Sequence, residues 1–551
     1  SSFSRMTMSN NHSFTTPNTE ELTAAGAPTR RDFLVKALAV GGSGLLLATM
    51  KAWGMDLAST ASTPPRLNGS GKGKTVVILG AGIAGMTAAY ELGKLGYTIK
   101  LIEARDFAGG RIQTARRGKV LQELGAEKQV CDFAPGEYIN LGPWRIPFNH
   151  YSTLHYTSEF DVRLELFNND NDAAYVYNER VQGPLNKKRL RMFEVKADLR
   201  GYVDELLAKS LRSGMMDQQV TTADKALLID YLVNEGYLSK KDLVYKGTEG
   251  RGFKVNPGAG VNPGAGVASD PLGFSDLLQS KLGLMYKSVS TFVQQKTMFE
   301  PVGGMDMIAK AFEKRVGKTI RYNLEVTRLV NSTDKVEVHV KHTVSGKTAV
   351  IKGDFCLCTI PISVLRGIDS DFSAGFKNAM LSVTYSPLCK MGLQMKDRFW
   401  ETGHGIYGGH IFTDIKGINL ISLPSSNWQG RKGTLLGYFS YGADGAEMSA
   451  RTPRERIDYA LAAGEKIFPG EYTKSFESGF SVCWHLVKYN LGATSHWNEE
   501  GRVEAYPKLW EGEGRTLLAG EHMSYLTGWM AGSIESSWQQ IERIHKRLSA
   551  A

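Results

Sequence analysis

Hydrophobic patterning is clearest at 75–79, where TVVIL forms an unbroken, largely β-branched apolar run. Such a run predicts a strand of a parallel sheet, buried on both faces. Apolar positions then recur at helical spacing and predict a helix over 83–95. A second strand is predicted at Thr98–Ile102. Farther along, 193–211 and 222–235 read as helices, 376–480 alternates strands with turns, and 534–548 reads as an amphipathic closing helix. Between the helical stretches, NPGAGV at 256–261 is repeated at once at 262–267. Two copies make a duplicated loop and not a solenoid, and that density of Gly and Pro precludes regular structure.

The turn between the first strand and helix carries the most chemistry. Gly80, Gly82 and Gly85 form G-x-G-x-x-G. The first glycine permits the tight turn, the second lets backbone approach a pyrophosphate, and the third lets the helix pack on the strand. The N-terminal N–H groups of that helix face the phosphates. The second strand ends at Glu103, about twenty residues on, where a carboxylate can accept hydrogen bonds from a ribose. A lone glycine motif is weak evidence, but one set between two strands and closed by an acid specifies a dinucleotide site. Gly109-Gly110-Arg111 follows. Taken alone, it describes equally a second phosphate-facing segment or a Gly-Gly turn with a surface arginine.

With this continuation the chain resembles the flavin-dependent amine oxidase family, whose FAD fingerprint runs past the ribose acid into GGR. More segments match. LGPWRIP at 141–147 resembles the GPMRIP-type element of L-amino acid oxidases, with Trp144 where that element has methionine. By residue type alone, Arg145 could be structural or a ligand. The resemblance implies that it binds the substrate carboxylate, for which a planar bidentate cation is suited. LLAGEHMSYLTGWMAGSIESS at 517–537 resembles the final FAD segment. There Glu521 matches the acid holding the ribityl chain, Gly528 and Trp529 match positions lining the substrate cavity, and Met530 and Ser533 match the start of the helix facing the pyrimidine edge. Lys390, in TYSPLCKMGLQMKDRFW, resembles the lysine that holds a water against the hydride-accepting flavin nitrogen. Val326 in LEVTRL matches an adenine-side contact, and Trp484 in VCWHLVKYNLG a tryptophan beside the isoalloxazine. VGGMD at 302–306 and CTIP at 358–361 also resemble family segments. Ala84, Ala104, Arg105, Gly110, Arg111, Gly142, Pro143, Trp144, Gly520 and, beside their substrate roles, Arg145, Gly528 and Trp529 complete the cofactor residues that the resemblance implies.

The resemblance departs at one point. Snake-venom-type enzymes carry a tyrosine that shares the carboxylate with the arginine, and here Leu423 of LISLP takes its position. Tyr407, Tyr438 and Tyr441 are the candidates to replace it. The implied activity is FAD-dependent oxidative deamination of an L-amino acid, with dioxygen reduced to hydrogen peroxide and Lys390 and Arg145 in the catalytic roles. The rivals are an amino-acid 2-monooxygenase, an oxidase of amines lacking a carboxylate, and a non-catalytic FAD-binding protein. No family-type cysteine attachment is present near Tyr525, so the FAD is expected to be non-covalent.

At 551 residues, two or more domains are expected. The expected fold is α/β: a Rossmann-like FAD domain of the two-dinucleotide-binding-motif type, a mixed-sheet substrate domain and a helical insertion. The FAD domain is expected at 74–148, 296–370 and 481–551, the helical substrate funnel at 149–295, and the sheet domain at 376–480. The net charge of +10 comes without a dense polybasic run, which argues against a nucleic-acid partner. The five cysteines, Cys131, Cys356, Cys358, Cys389 and Cys483, form no metal spacing with histidine and are expected as buried free thiols. At 29–36, TRRDFLVK resembles a twin-arginine export signal, followed by an apolar stretch at 37–50 too short to span a membrane. Residues 1–73 are therefore expected as signal and linker of a periplasmic or secreted enzyme that is not integral to the membrane. Its expected partners are an L-amino acid and dioxygen, and its expected assembly is a homodimer.

Overall fold

The computed structural model describes residues 63–285 and 291–550. The export-signal reading at 29–36 lies outside them. The TVVIL run is the central strand of a five-stranded parallel sheet. Its order is Ile320–Arg321, Thr98–Ile102, Thr75–Leu79, Phe355–Cys358 and Thr516–Leu518. Val76 to Leu79 are fully buried, as two-sided cover requires. One face packs under two helices. Ile83–Lys94 contributes Met86, Ala89 and Leu92 to that core, and the closing helix Met530–Ser549 contributes Ile534, Trp538, Ile541 and Ile544. The two helices touch closely, with Ser537 Oγ donating to Ala84 O at 2.9 Å. The opposite face is covered by an antiparallel layer of Thr348–Gly353, Val336–His342 and Leu324–Asn331, to which Asp369–Ser370 adds a parallel edge.

A seven-stranded mixed sheet forms the second layer system, in the order Phe476–Cys483, Leu388–Met395, Gly433–Tyr441, Leu420–Leu423, Gly409–Thr413, Tyr175–Tyr177 and Arg189–Arg191. Two findings go beyond the hydrophobic pattern. The last two strands come from within 149–295, which is therefore not purely helical. Each is only three residues long, too short for a period to register. Conversely, 376–480 contains a full helix, Pro453–Ile467, opened by a capping box between Thr452 and Glu455. It packs Ala460, Ala463 and Ile467 against the sheet. The helices expected at 193–211 and 222–235 are present as Met192–Arg212 and Thr222–Glu235.

The cysteine expectation needs correction. Cys389 is disulfide-bonded to Cys483. The two face each other directly in the antiparallel ladder, with Cα atoms 4.2 Å apart. Strand register, invisible across 94 residues of sequence, sets that pairing. Cys131, Cys356 and Cys358 are buried free thiols. No helix among the described residues is long and apolar enough to cross a membrane.

Candidate active site

The C-terminal ends of the parallel strands open into a cavity of about 410 Å³ that runs on to the seven-stranded sheet. Ligands of open α/β sheets bind at this end. Gly80 takes a left-handed backbone (φ +96°) at the tip of the first strand. A Cβ on Gly85 would lie 2.0 Å from Gly80 O, so that glycine serves helix packing and does not line the cavity. Gly82 and Gly110 bring two backbone segments together, a Cβ on Gly110 falling 3.2 Å from Gly82 Cα. Gly80, Gly82 and Ala84 line the cavity beside a helix start that carries no side-chain cap. Its free N–H groups are donors for an anion.

Glu103 is buried at the next strand end. Its carboxylate accepts from Ala81 N and Arg105 N, both at 2.9 Å. Burial pushes its carboxyl up, and Arg105 and these backbone bonds offset part of the rise. Ala104, Arg105 and Val326 line the same end of the cavity. Arg111 reaches Glu521 at 2.9 Å. Burial alone would raise the Glu521 carboxyl, but Arg111 and the hydrogen bonds to it hold it below the usual range. Gly142, Pro143, Trp144, Arg145, Trp484, Gly520, Gly528, Trp529, Met530 and Ser533 all line the cavity. Trp484 is buried and donates its Nε1 to Leu141 O at 2.8 Å. The 20-residue helix Met530–Ser549 also starts without a side-chain cap, so its positive end faces the cavity.

Lys390 stands on the buried strand Leu388–Met395, paired with Phe439 and Val482 on either side. Its Nζ donates to Gly142 O and lies 4.0 Å from the centre of the Trp144 ring. Burial, and then the charge of Arg145, drive its pKa well below the ordinary lysine value. Arg145 lies against the same ring, its Cζ 4.2 Å from the centroid, and 5.9 Å from that of Trp529. Its guanidinium has no carboxylate partner among the described residues. Nη2 donates to Gln294 Oε1 at 3.1 Å, and Nε donates to nothing. Burial pulls the Arg145 pKa down, a cost that an incoming anion relieves.

Behind Arg145 lies a polar network that the sequence did not disclose. Asn169 Nδ2 donates to Gln294 Oε1 at 3.3 Å, and Asn169 Oδ1 accepts from His410 Nε2 at 3.0 Å. His410 Nδ1 in turn meets Ser422 Oγ at 2.9 Å. Burial, and then the Arg145 charge, hold His410 neutral. These residues sit in four separate segments without a shared motif, so only tertiary contact identifies them. The three tyrosines considered for the carboxylate do not line the cavity. Tyr438 is buried in the sheet core, and Tyr407 and Tyr441 are exposed.

The chain matches the flavin-containing amine oxidoreductases over residues 83–545. It belongs to that family. Among curated proteins it is similar to the L-amino-acid oxidase of Vipera ammodytes ammodytes, 27% identical over 84% of this chain and 91% of that one. It is also similar to the L-amino-acid oxidase of Siganus canaliculatus, 26% identical over 86% and 85%. The fold is that of cyclohexylamine oxidase from Brevibacterium oxydans IH-35A, with a TM-score of 0.56 at 14% identity over 87% of this chain and 99% of that one. Membership of the family implies a flavin cofactor in this amine oxidoreductase, and the glycine-lined cleft fits a flavin nucleotide, since any added Cβ on Gly110 would close it against Gly82.

Proposed function

We propose that this flavoenzyme binds FAD non-covalently and deaminates L-amino acids oxidatively, giving a 2-oxo acid, ammonia and hydrogen peroxide. One observation carries the reading: Arg145, a guanidinium without an acidic partner, set in the cavity wall between two tryptophans. A substrate lacking a carboxylate would leave that cation uncompensated, which disfavours simple amines. Glu103, at the end of the second strand, supports the adenosine end of FAD, and Glu521 with Arg111 supports its middle. No cysteine is among the residues lining the cavity, which supports non-covalent binding.

The flavin, when bound, supplies the hydride acceptor and the site of reoxidation by dioxygen. The chain's own residues position and polarise. Arg145 holds the carboxylate, and the Gln294–Asn169–His410 chain fixes the guanidinium. Trp144 and Trp529 wall the substrate from water and present apolar faces to it. The backbone at Gly528, held by its N–H to Glu521 Oε2 at 3.0 Å, leaves room for the substrate amine. Lys390, with its proton loosened by burial, is able to exchange a proton at Nζ with a neighbouring water. No dedicated base is needed if the amine binds uncharged. The segment at 29–36 supports export through the twin-arginine route.

The test is a screen of the twenty L-amino acids for peroxide release, with the organic product identified. A 2-oxo acid with stoichiometric peroxide is expected. An amide product would assign the chain to the monooxygenases, and flavin never bleached anaerobically by any amino acid would make it a non-catalytic binder.

A further inference from the structure

A second, smaller cavity of about 60 Å³ lies behind Trp144, which is the one residue lining both this cavity and the main one. Polar side chains, with Tyr138, Asn140, Ser425 and Thr434 among them, interrupt its largely apolar walls. Glu300 is set into it, only 5% exposed, and its Oε1 has no hydrogen-bond partner. Glu300 pairs with Glu165 across the Thr297–Pro301 and Leu164–Asn168 ladder, so two carboxyl groups share one face. Among the described residues Glu300 makes no ion pair with a lysine or arginine, and burial, then the Glu165 charge, push its carboxyl well above the usual range. The acid is held neutral with an oxygen open to the cavity, and a cation arriving there would favour release of its proton and form an ion pair.

Trp144 is placed to supply both a door and part of the binding. Its Nε1 also has no partner, so turning the indole breaks no hydrogen bond. Its ring meets Phe439 and His410 edge to face, at 5.1 and 5.8 Å. Its π face already carries two cations, Lys390 and Arg145, and would serve a third entering group in the same way. The volume has room for a small polar head group and not for an aromatic ring.

We infer that this cavity is a subsite for the cationic end of a substrate side chain, so that the enzyme selects amino acids ending in an ammonium or guanidinium group. The inference rests on the amino-acid oxidase reading above and names its substrate class. The α-carboxylate docks on Arg145, the side chain passes Trp144, and its terminal N–H groups donate to Glu300 Oε1.

The experiment compares kcat/KM for L-lysine and L-norleucine, which share an aliphatic stem and differ at the terminal ammonium, in wild type and Glu300→Gln. Wild type should favour L-lysine by at least about tenfold, and the variant should lose at least about tenfold more on L-lysine than on L-norleucine. A wild-type ratio near one overturns the inference without reference to the variant. So does an equal loss on both substrates, which would leave the cavity holding water only. If neither amino acid yields peroxide, the deamination reading is decided separately by the screen of twenty amino acids, and equilibrium dialysis of L-lysine against both proteins decides the subsite. Weaker binding to Glu300→Gln supports it, and unchanged binding overturns it.

Discussion

Arg111 and Glu521 meet at 2.9 Å although 410 residues separate them in the chain. The second oxygen of that carboxylate accepts from Ser495 Oγ at 2.8 Å and Gly528 N at 3.0 Å. One acid thus ties the GGR segment, the 495 loop and the GW turn into a single wall. Removing it strands a part-buried guanidinium. Glu521→Ala should lose on the order of 3 kcal/mol of stability. It should also purify with little flavin, measured as the ratio of absorbance at 450 nm to that at 280 nm.

Gly85→Ala should be as damaging in a different way. The added methyl meets backbone, Gly80 O at 2.0 Å, and cannot be relieved by turning a side chain. Helix Ile83–Lys94 must shift away from the strand, at a cost of roughly 1–3 kcal/mol or more. Thermal denaturation should show a lower midpoint, and flavin titration a weaker affinity, because the shift moves the helix start that faces the cleft.

Arg145→Ala separates substrate from cofactor. Loss of a charged partner in a desolvated site should weaken amino-acid binding by about 2–5 kcal/mol. Flavin content should hardly change, since Arg145 touches neither Glu103 nor Glu521. An unchanged substrate titration would move the carboxylate site elsewhere.

Lys390→Met replaces a buried amine by an apolar side chain of similar length. The fold should tolerate it, since a desolvated charge is removed from a strand whose neighbours are apolar. Turnover should fall while the protein stays yellow. Stopped-flow reduction and reoxidation should show at least one clearly slowed half-reaction. Wild-type rates in both would leave Lys390 a structural residue.

His522 predicts acid lability. It is fully buried and neither ring nitrogen has a partner. Burial lowers its pKa from 6.5 to about 4, with Glu521 opposing and Arg111 assisting. A depressed pKa means that the unfolded chain takes up the proton first. The stability is therefore complete above pH 6.5 and is lost as pH falls from there toward 4. The loss amounts to roughly 3 kcal/mol over that window. The thermal midpoint of wild type should fall more steeply there than that of His522→Gln. Parallel curves would show that the ring does not govern the acid limb.

The local units of this protein are legible in its sequence because their physics is local. TVVIL has no polar face, so it must be buried on both sides. Gly80, Gly82 and Gly85 state the turn, the close approach and the packing at fixed offsets, and the acid follows where the second strand ends. Within this family's pattern, the segments around Arg145, Lys390, Trp484 and Glu521 were recognisable one by one, and the structure brings them to one cavity. What sequence could not state is everything set by register and by contact between distant segments. Cys389 pairs with Cys483 only because two strands are aligned to that residue. The helix Pro453–Ile467 was hidden in a stretch whose strands dominate the pattern. Gln294, Asn169 and His410 carry no motif, and their meaning arises only where hydrogen bonds join them to Arg145. Glu300 is an ordinary acid in a short strand until the fold buries it without a cation. Patterning determines which elements form and which residues face inward, because both follow from spacing along the chain. Only the packed structure decides which buried polar groups find partners, because that depends on atoms hundreds of residues apart.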